Sequence, residues 1–146
     1  MANLRIALAA DHRGFSLKEK VKKFLEKEGY KVLDFGTYNE KRCDYPDYGL
    51  KAAQAIQKRK AHRGVFICGS GIGMSIAANK VKGIRAGLCL YPEMAQRARR
   101  DTNTNVLVLA ADFTPFKKAV PILKLWLRER FARGRYLKRL RKIPNA

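Results

Sequence analysis

Residues 67–73 read Ile-Cys-Gly-Ser-Gly-Ile-Gly, and this run holds the sharpest chemical signal in the chain. Glycines at the alternate positions 69, 71 and 73 let a backbone turn tightly and approach a ligand, leaving several N–H groups directed into one small space. A helix beginning there adds the positive end of its dipole, which favours an anion. An oxygen gaining negative charge, such as that of an enolate, is the kind of species such a turn stabilises, with Gly69, Gly71, Ile72 and Gly73 supplying the amides. Cys68 ends the apolar run that feeds the turn. The same positive end is expected to lower its thiol pKa, giving a thiolate able to act as nucleophile or general base. A Gly-rich turn with an inert buried cysteine fits the same residues.

Three further groups carry potential chemistry. Asp11-His12 follows a first apolar run, where an acid can bind sugar hydroxyls and a histidine can bind phosphate; a plain turn with a solvated histidine fits equally well. Asp44-Tyr45-Pro46 either presents a carboxylate and a phenol to the same cleft or caps a helix. Asn79 and Arg85 read, on their own, as a helix C-cap and a surface charge. Cys43, Cys68 and Cys89 form no CxxC pair, and with only two histidines in the chain neither a structural metal nor a disulfide framework is expected.

The elements that must position these groups alternate between β-rich and amphipathic stretches. Residues 5–10 predict a strand and 11–14 a turn. Ser16, with Glu19 three residues on, predicts a capping box opening a helix to about residue 28, closed by Gly29. Residues 31–35 predict a second strand, followed by a loop to Pro46 and a helix over about 46–60. The continuous apolar run 65–68 suits a strand buried on both faces, and a helix from the glycine turn ends near Asn79. Further strands are predicted over 84–90 and 106–110, and helices over 92–100 and 116–131, with Pro121 distorting the last. A basic tail over about 132–146 closes the chain. This alternation predicts a three-layer α-β-α, Rossmann-like domain with a five-stranded parallel sheet, a single domain spanning 1–146. Ligands of such sheets bind beyond the carboxyl ends of the strands, which brings residues 11–12, 44–45 and 68–73 to one edge.

Composition limits the partners. The chain has 146 residues and 47% hydrophobic content, enough for one packed core. No apolar run spans a bilayer, and the opening segment reads as a strand rather than a secretory signal, so a cytoplasmic protein without membrane attachment is expected. The net charge of +20 attracts phosphate in any form, whether nucleic acid, anionic lipid or a small phosphorylated metabolite. The aromatic residues are scattered rather than interleaved with the basic tail as stacking platforms, which weighs against nucleic acid as the partner.

Taken in order, the segments 11–15, 36–37, 44–46, 67–73, 76–80, 83–86, 104–107 and 134–135 resemble the type B ribose-5-phosphate isomerase family, which includes the lactose-pathway galactose-6-phosphate isomerases. The likeness covers nearly the whole chain. It implies an aldose–ketose isomerase working through an enediolate without metal or cofactor. Cys68 would be the base, the backbone after it the anion hole, and Ser70 a hydroxyl assisting proton movement between oxygens. Asp11 and Tyr45 match sugar-contacting positions, and His12, Arg135 and Arg139 match phosphate-binding ones; Asn79 lies in a resembling run and joins the substrate-binding candidates. The resemblance also implies homodimers, often paired into tetramers, with each site built from two subunits. Two positions depart from the pattern. Asp101-Thr102 stands where the family usually has His-Asn, the histidine being the ring-opening group, and Ala110-Ala111-Asp112 replaces a Gly-x-Arg-like segment that helps hold phosphate across the interface. As a substitute base, Asp101 is weak at neutral pH, since an ordinary Asp titrates near about 3.9. Asp112 would repel phosphate unless a cation compensates. These changes imply a shifted substrate, one already open-chain, or reduced activity.

Overall fold

The computed structural model describes residues 3–146. Five strands, β1 (Arg5–Ala10), β2 (Lys31–Asp34), β3 (Arg63–Cys68), β4 (Ala86–Leu88) and β5 (Val106–Ala110), form one sheet in the order β2-β1-β3-β5-β4, every pair parallel. Helices α1 (Phe15–Lys27), α2 (Tyr45–Gln57), α3 (Ile72–Asn79), α4 (Pro92–Thr102) and α5 (Phe116–Arg128) connect and follow them, and α6 (Gly134–Leu140) closes the chain. The expected α-β-α layering is present.

The layering follows from side-chain alternation along strands buried on both faces. Ile6, Leu8 and Ala10 of β1, Val65 and Ile67 of β3, and Leu107 and Leu109 of β5 point to one face. There they meet Val21 and Leu25 of α1 and Ile122, Leu123 and Trp126 of α5. Ala7, Ala9, Phe66, Cys68, Val106 and Val108 point to the other, against Ala52, Ala53 and Ile56 of α2 and Met74 and Ala78 of α3. Trp126, the only tryptophan, is fully buried and donates its indole N–H to Thr104 Oγ1 at 3.0 Å.

Several boundaries differ from those read in the sequence, each for a local reason. Ser16 is not a cap: α1 starts at Phe15 and Gly14 occupies the cap position without a side-chain bond. The Asp11 carboxylate already takes the N–H groups of Arg13 and Gly14, each at 3.0 Å, and closes the turn ahead of Ser16. Helix α2 stops at Gln57, short of residue 60, because Arg59 turns left-handed (φ 62°). Asp44 precedes α2 in extended conformation with no side-chain capping bond. Strand β4 is three residues rather than seven; ahead of it the Asn105 side chain takes the Arg85 N–H at 2.8 Å. Pro121 lies inside α5 without ending it. Proline removes one helical hydrogen bond, and the buried face of Ala119, Ile122, Leu123, Trp126 and Leu127 holds the helix to Arg128, three residues short of the expected end. The basic tail is partly helical, as α6.

Lys18 is fully buried and ion-paired with Asp34 at 2.6 Å, and Lys22 reaches the same oxygen at 3.3 Å. The other Asp34 oxygen takes the Gly36 N–H at 2.9 Å, and residues 36–37 bond twice to Ala10, at 2.6 and 2.7 Å. Burial alone would push the Asp34 carboxyl up, yet the Lys18 ammonium, the Gly36 amide and Lys22 hold it below its ordinary value. This ion pair therefore fixes the turn that flanks Asp11-His12.

Candidate active site

Strand β3 delivers Cys68 to the carboxyl edge of the sheet, and the glycine turn carries the chain from there into α3. Gly71 takes the left-handed conformation (φ 75°) with Leu88 2.5 Å from where a Cβ would sit, so a side chain there meets both backbone strain and a clash. The main-chain amides of Gly71, Gly73 and Met74 face the Cys68 thiol and favour its charged form. Among the described residues, the N–H groups of Gly69 and Ser70 meet no acceptor. The amides of Gly69 and Ser70 are thus left for another oxygen.

The expected low thiol pKa is not observed. Cys68 is 4% exposed, and burial pushes its thiol up from the ordinary value. The amides of Met74, Gly71 and Gly73 pull it down and the Asp11 charge raises it further, and burial prevails. Counting helix-end amides gave the wrong sign because the residue also lies in the apolar layer with Phe66 and Met74.

The neighbours predicted at this edge are there. Asp11 is buried, with one carboxylate oxygen engaged by the turn. His12 Nδ1 accepts the Cys43 N–H at 3.2 Å, so the neutral ring carries its proton on Nε2 and offers it outward. The Tyr45 ring, at the start of α2, lies directly over Gly73: a Cβ there would sit 2.5 Å from Cζ. Ser70 is exposed, and its Oγ accepts the Ile72 N–H at 3.2 Å, leaving its own proton free to donate.

Other candidates fall elsewhere. Asn79 ends α3 with both ends of its amide committed to the Ala86 main chain, at 2.8 and 3.1 Å, and so pins β4 to α3. Arg85 is not a surface charge but a half-buried tie, donating to the carbonyls of Asn103 and Gly83 at 2.8 and 3.3 Å. Asp101 accepts from Arg97 at 2.8 Å and Arg100 at 3.0 Å. The Arg97 bond, with Arg100, holds its carboxyl below the ordinary value. Arg97, Asp101, Tyr136 and Arg139 line a cavity of about 260 Å³, with the Arg135 and Arg139 guanidiniums 5.1 and 5.7 Å from the Tyr136 ring. A larger cavity of about 700 Å³ runs along edge strand β4, lined by Leu88, Met94 and Ile143 among others. Neither cavity is lined by Cys68.

The two groups of residues are at opposite ends of the sheet. Helix α4 leads from the carboxyl edge back to the start of β5, where Asp101 lies, whereas Cys68 pairs with Ala110 at the end of β5. A five-residue strand separates them by roughly 15 Å along its axis. Asp112, by contrast, sits beside Cys68 in the same chain: its N–H donates to the Gly69 carbonyl at 3.0 Å and its carboxylate binds Arg13. Within one chain Asp112 therefore already reaches the turn that follows Cys68. Arg13 itself, like the Met74 amide, was missed; the one sequence signal for it was an acid at 112 in need of a cation.

A doubly wound parallel sheet ending in a thiol within a glycine turn defines an α/β protein of the kind that binds small ligands at the strand ends. Within that class the chain belongs to the ribose/galactose isomerase family, whose sequence model matches residues 6–143. It is 39% identical over 139 residues to ribose-5-phosphate isomerase B of Escherichia coli, covering 95% of this chain and 93% of that one. A crystal structure of a ribose 5-phosphate isomerase from Thermotoga maritima superposes with a TM-score of 0.95 at 47% identity, covering 98% and 99% of the two chains. The Mycoplasma genitalium ribose-5-phosphate isomerase B with bound ribulose-5-phosphate superposes with a TM-score of 0.91 at 35% identity, covering 95% and 93%.

The Tyr45–Gly73 contact supplies a stability test. Gly73→Ala forces a methyl group into the Tyr45 ring and is expected to cost about 1–3 kcal/mol as an overpacking change. A urea melt with an unchanged midpoint would show that the ring moves aside freely.

Proposed function

We propose that this protein interconverts ribose 5-phosphate and ribulose 5-phosphate through an enediolate. The observation that carries the reading is a thiol at the end of β3 followed at once by the unpaired Gly69 and Ser70 amides, in a chain belonging to this family. The Cys68 thiolate takes the proton from C2 of the open-chain aldose. The electron pair moves toward O1, whose charge meets the free amides of Gly69 and Ser70. Ser70 passes a proton between O1 and O2, and Cys68 returns its proton to C1, giving the ketose. Asp11 and Tyr45 bind the sugar hydroxyls, and His12 donates its Nε2 proton to the phosphate.

The phosphate cations Arg135 and Arg139 and the residue at 101 come from a second copy. Their distance from Cys68 within one chain supports this, as do apolar side chains left exposed around the same edge: Ile72 and Ile76 on α3, each 57% exposed, and Phe113, 61% exposed. Two copies related by a twofold axis would cover these and complete two sites. With Arg97 and Arg100 holding Asp101 ionised, position 101 has no proton to give, so ring opening is left to solvent or to other groups. Among the described residues no helix is long and apolar enough to cross a membrane.

The test is ketose formation from a panel of aldose phosphates and free aldoses, followed across pH. Because the base must be a thiolate and burial raises the thiol pKa, kcat/KM on ribose 5-phosphate should be lost as pH falls and rise into the alkaline range, its midpoint above that of an ordinary thiol. Absence of turnover on ribose 5-phosphate at any pH refutes the substrate, and a flat profile refutes the thiolate.

A further inference from the structure

Asp112 places a negative charge at the edge where, on the reading above, the phosphate binds, and Arg13 pairs with it. The guanidinium Nε lies 3.3 Å from Asp112 Oδ1 and Nη2 lies 2.6 Å from Oδ2, a two-point clamp. Its backbone is fixed as well, since the Arg13 N–H is bound by Asp11. The side chain passes over Gly69: a Cβ there would meet Arg13 Nε at 2.6 Å and Cδ at 3.0 Å. Glycine at 69 is therefore what lets the arginine lie across the turn that follows Cys68. The clamp uses Nε and one Nη2 hydrogen, which leaves both Nη1 hydrogens and the second on Nη2 free, on a side chain that is 58% exposed. A planar, oriented cation with unused donors suits a phosphate oxygen.

We propose that Arg13, oriented by Asp112, is a phosphate-binding residue of this isomerase, and that Asp112 is its positioning residue. The proposal rests on the sugar-phosphate reading above and adds a ligand cation from the same chain as Cys68, next to His12. Asp112 thereby ceases to be an obstacle to phosphate and becomes the group that aims the guanidinium.

Wild-type turnover of ribose 5-phosphate tests the earlier reading by itself, and the variants are read only against that activity. Arg13→Ala should raise KM for ribose 5-phosphate, and the inhibition constant of inorganic phosphate, by about 10- to 100-fold, the scale of a lost hydrogen bond to a charged group. Its kcat should change far less. Arg13→Lys should recover part of the loss by restoring charge without the clamp. The deciding variant is Arg13→Ala/Asp112→Ala, which removes the repelling carboxylate along with the cation and should keep at least about a tenfold rise in KM. If the double variant returns to the wild-type KM, Arg13 merely neutralises Asp112 and the proposal is overturned. A single variant with unchanged KM and phosphate inhibition overturns it too. Asp112→Asn, which keeps one acceptor, should weaken phosphate less than Asp112→Ala, and equal effects would refute the positioning role.

Discussion

Replacing Cys68 with alanine is expected to lower kcat on ribose 5-phosphate by on the order of 10²–10⁴-fold, the range that a positioned proton-transfer group contributes. KM should move little, because Cys68 is buried and the proposed hydroxyl and phosphate contacts lie on other residues. The stability cost should be small, about 1 kcal/mol for losing one buried atom from a packed layer. Cys43→Ala and Cys89→Ala are the matched controls. Cys89, whose thiol burial pushes up to about 11, should be dispensable for turnover. A Cys68→Ala enzyme with wild-type kcat would remove the thiol from the mechanism.

The second large effect concerns two inactive proteins that become active together. Cys68→Ala disables one end of the sheet, and Arg139→Ala disables the other, the latter by weakening the phosphate end. If each site takes Cys68 from one copy and Arg139 from its partner, a mixed dimer carries both lesions in one site and none in the other. Co-expressed at equal levels, with random pairing, the two variants should regain about a quarter of wild-type activity, since half the dimers are mixed and each keeps one intact site. Either variant alone should stay far below that. No recovery in purified mixed dimers would mean that each site is complete within one chain, and the separation of Asp101 from Cys68 would then need another explanation.

Much of this architecture was readable beforehand because it rests on local rules. Continuous apolar runs at 65–68 and 106–110 admit little but buried parallel strands, and the glycines at 69, 71 and 73 fix a tight strand–helix turn wherever they occur. What escaped was set by groups distant in sequence. Arg13 and Asp112 are 99 positions apart and meet only because β1 and β5 both flank β3. Strand β4 begins only at Ala86, after the Asn105 side chain has taken the Arg85 N–H, a partner no periodicity announces. The thiol was misjudged in sign since the helix end is visible in the residue order, whereas the depth of Cys68 in the layer with Phe66 and Met74 is a property of packing. Ser16 and Glu19 made a plausible cap that lost to Asp11, a residue five positions earlier whose carboxylate reached the turn first.

Trp126 turns this geography into an instrument. As the one indole in the molecule, sealed in the layer against α1 and tied to Thr104 just ahead of β5, it gives an optical signal of folding from a single place. That place lies across the sheet from the thiol: Trp126 packs on one face, and Cys68 points to the other. Emission in a denaturant titration therefore follows loss of the native interior, while alkylation or mutation at Cys68 leaves the native spectrum alone. A variant that is dark in an activity assay but unchanged in its fluorescence has lost its chemistry and kept its structure.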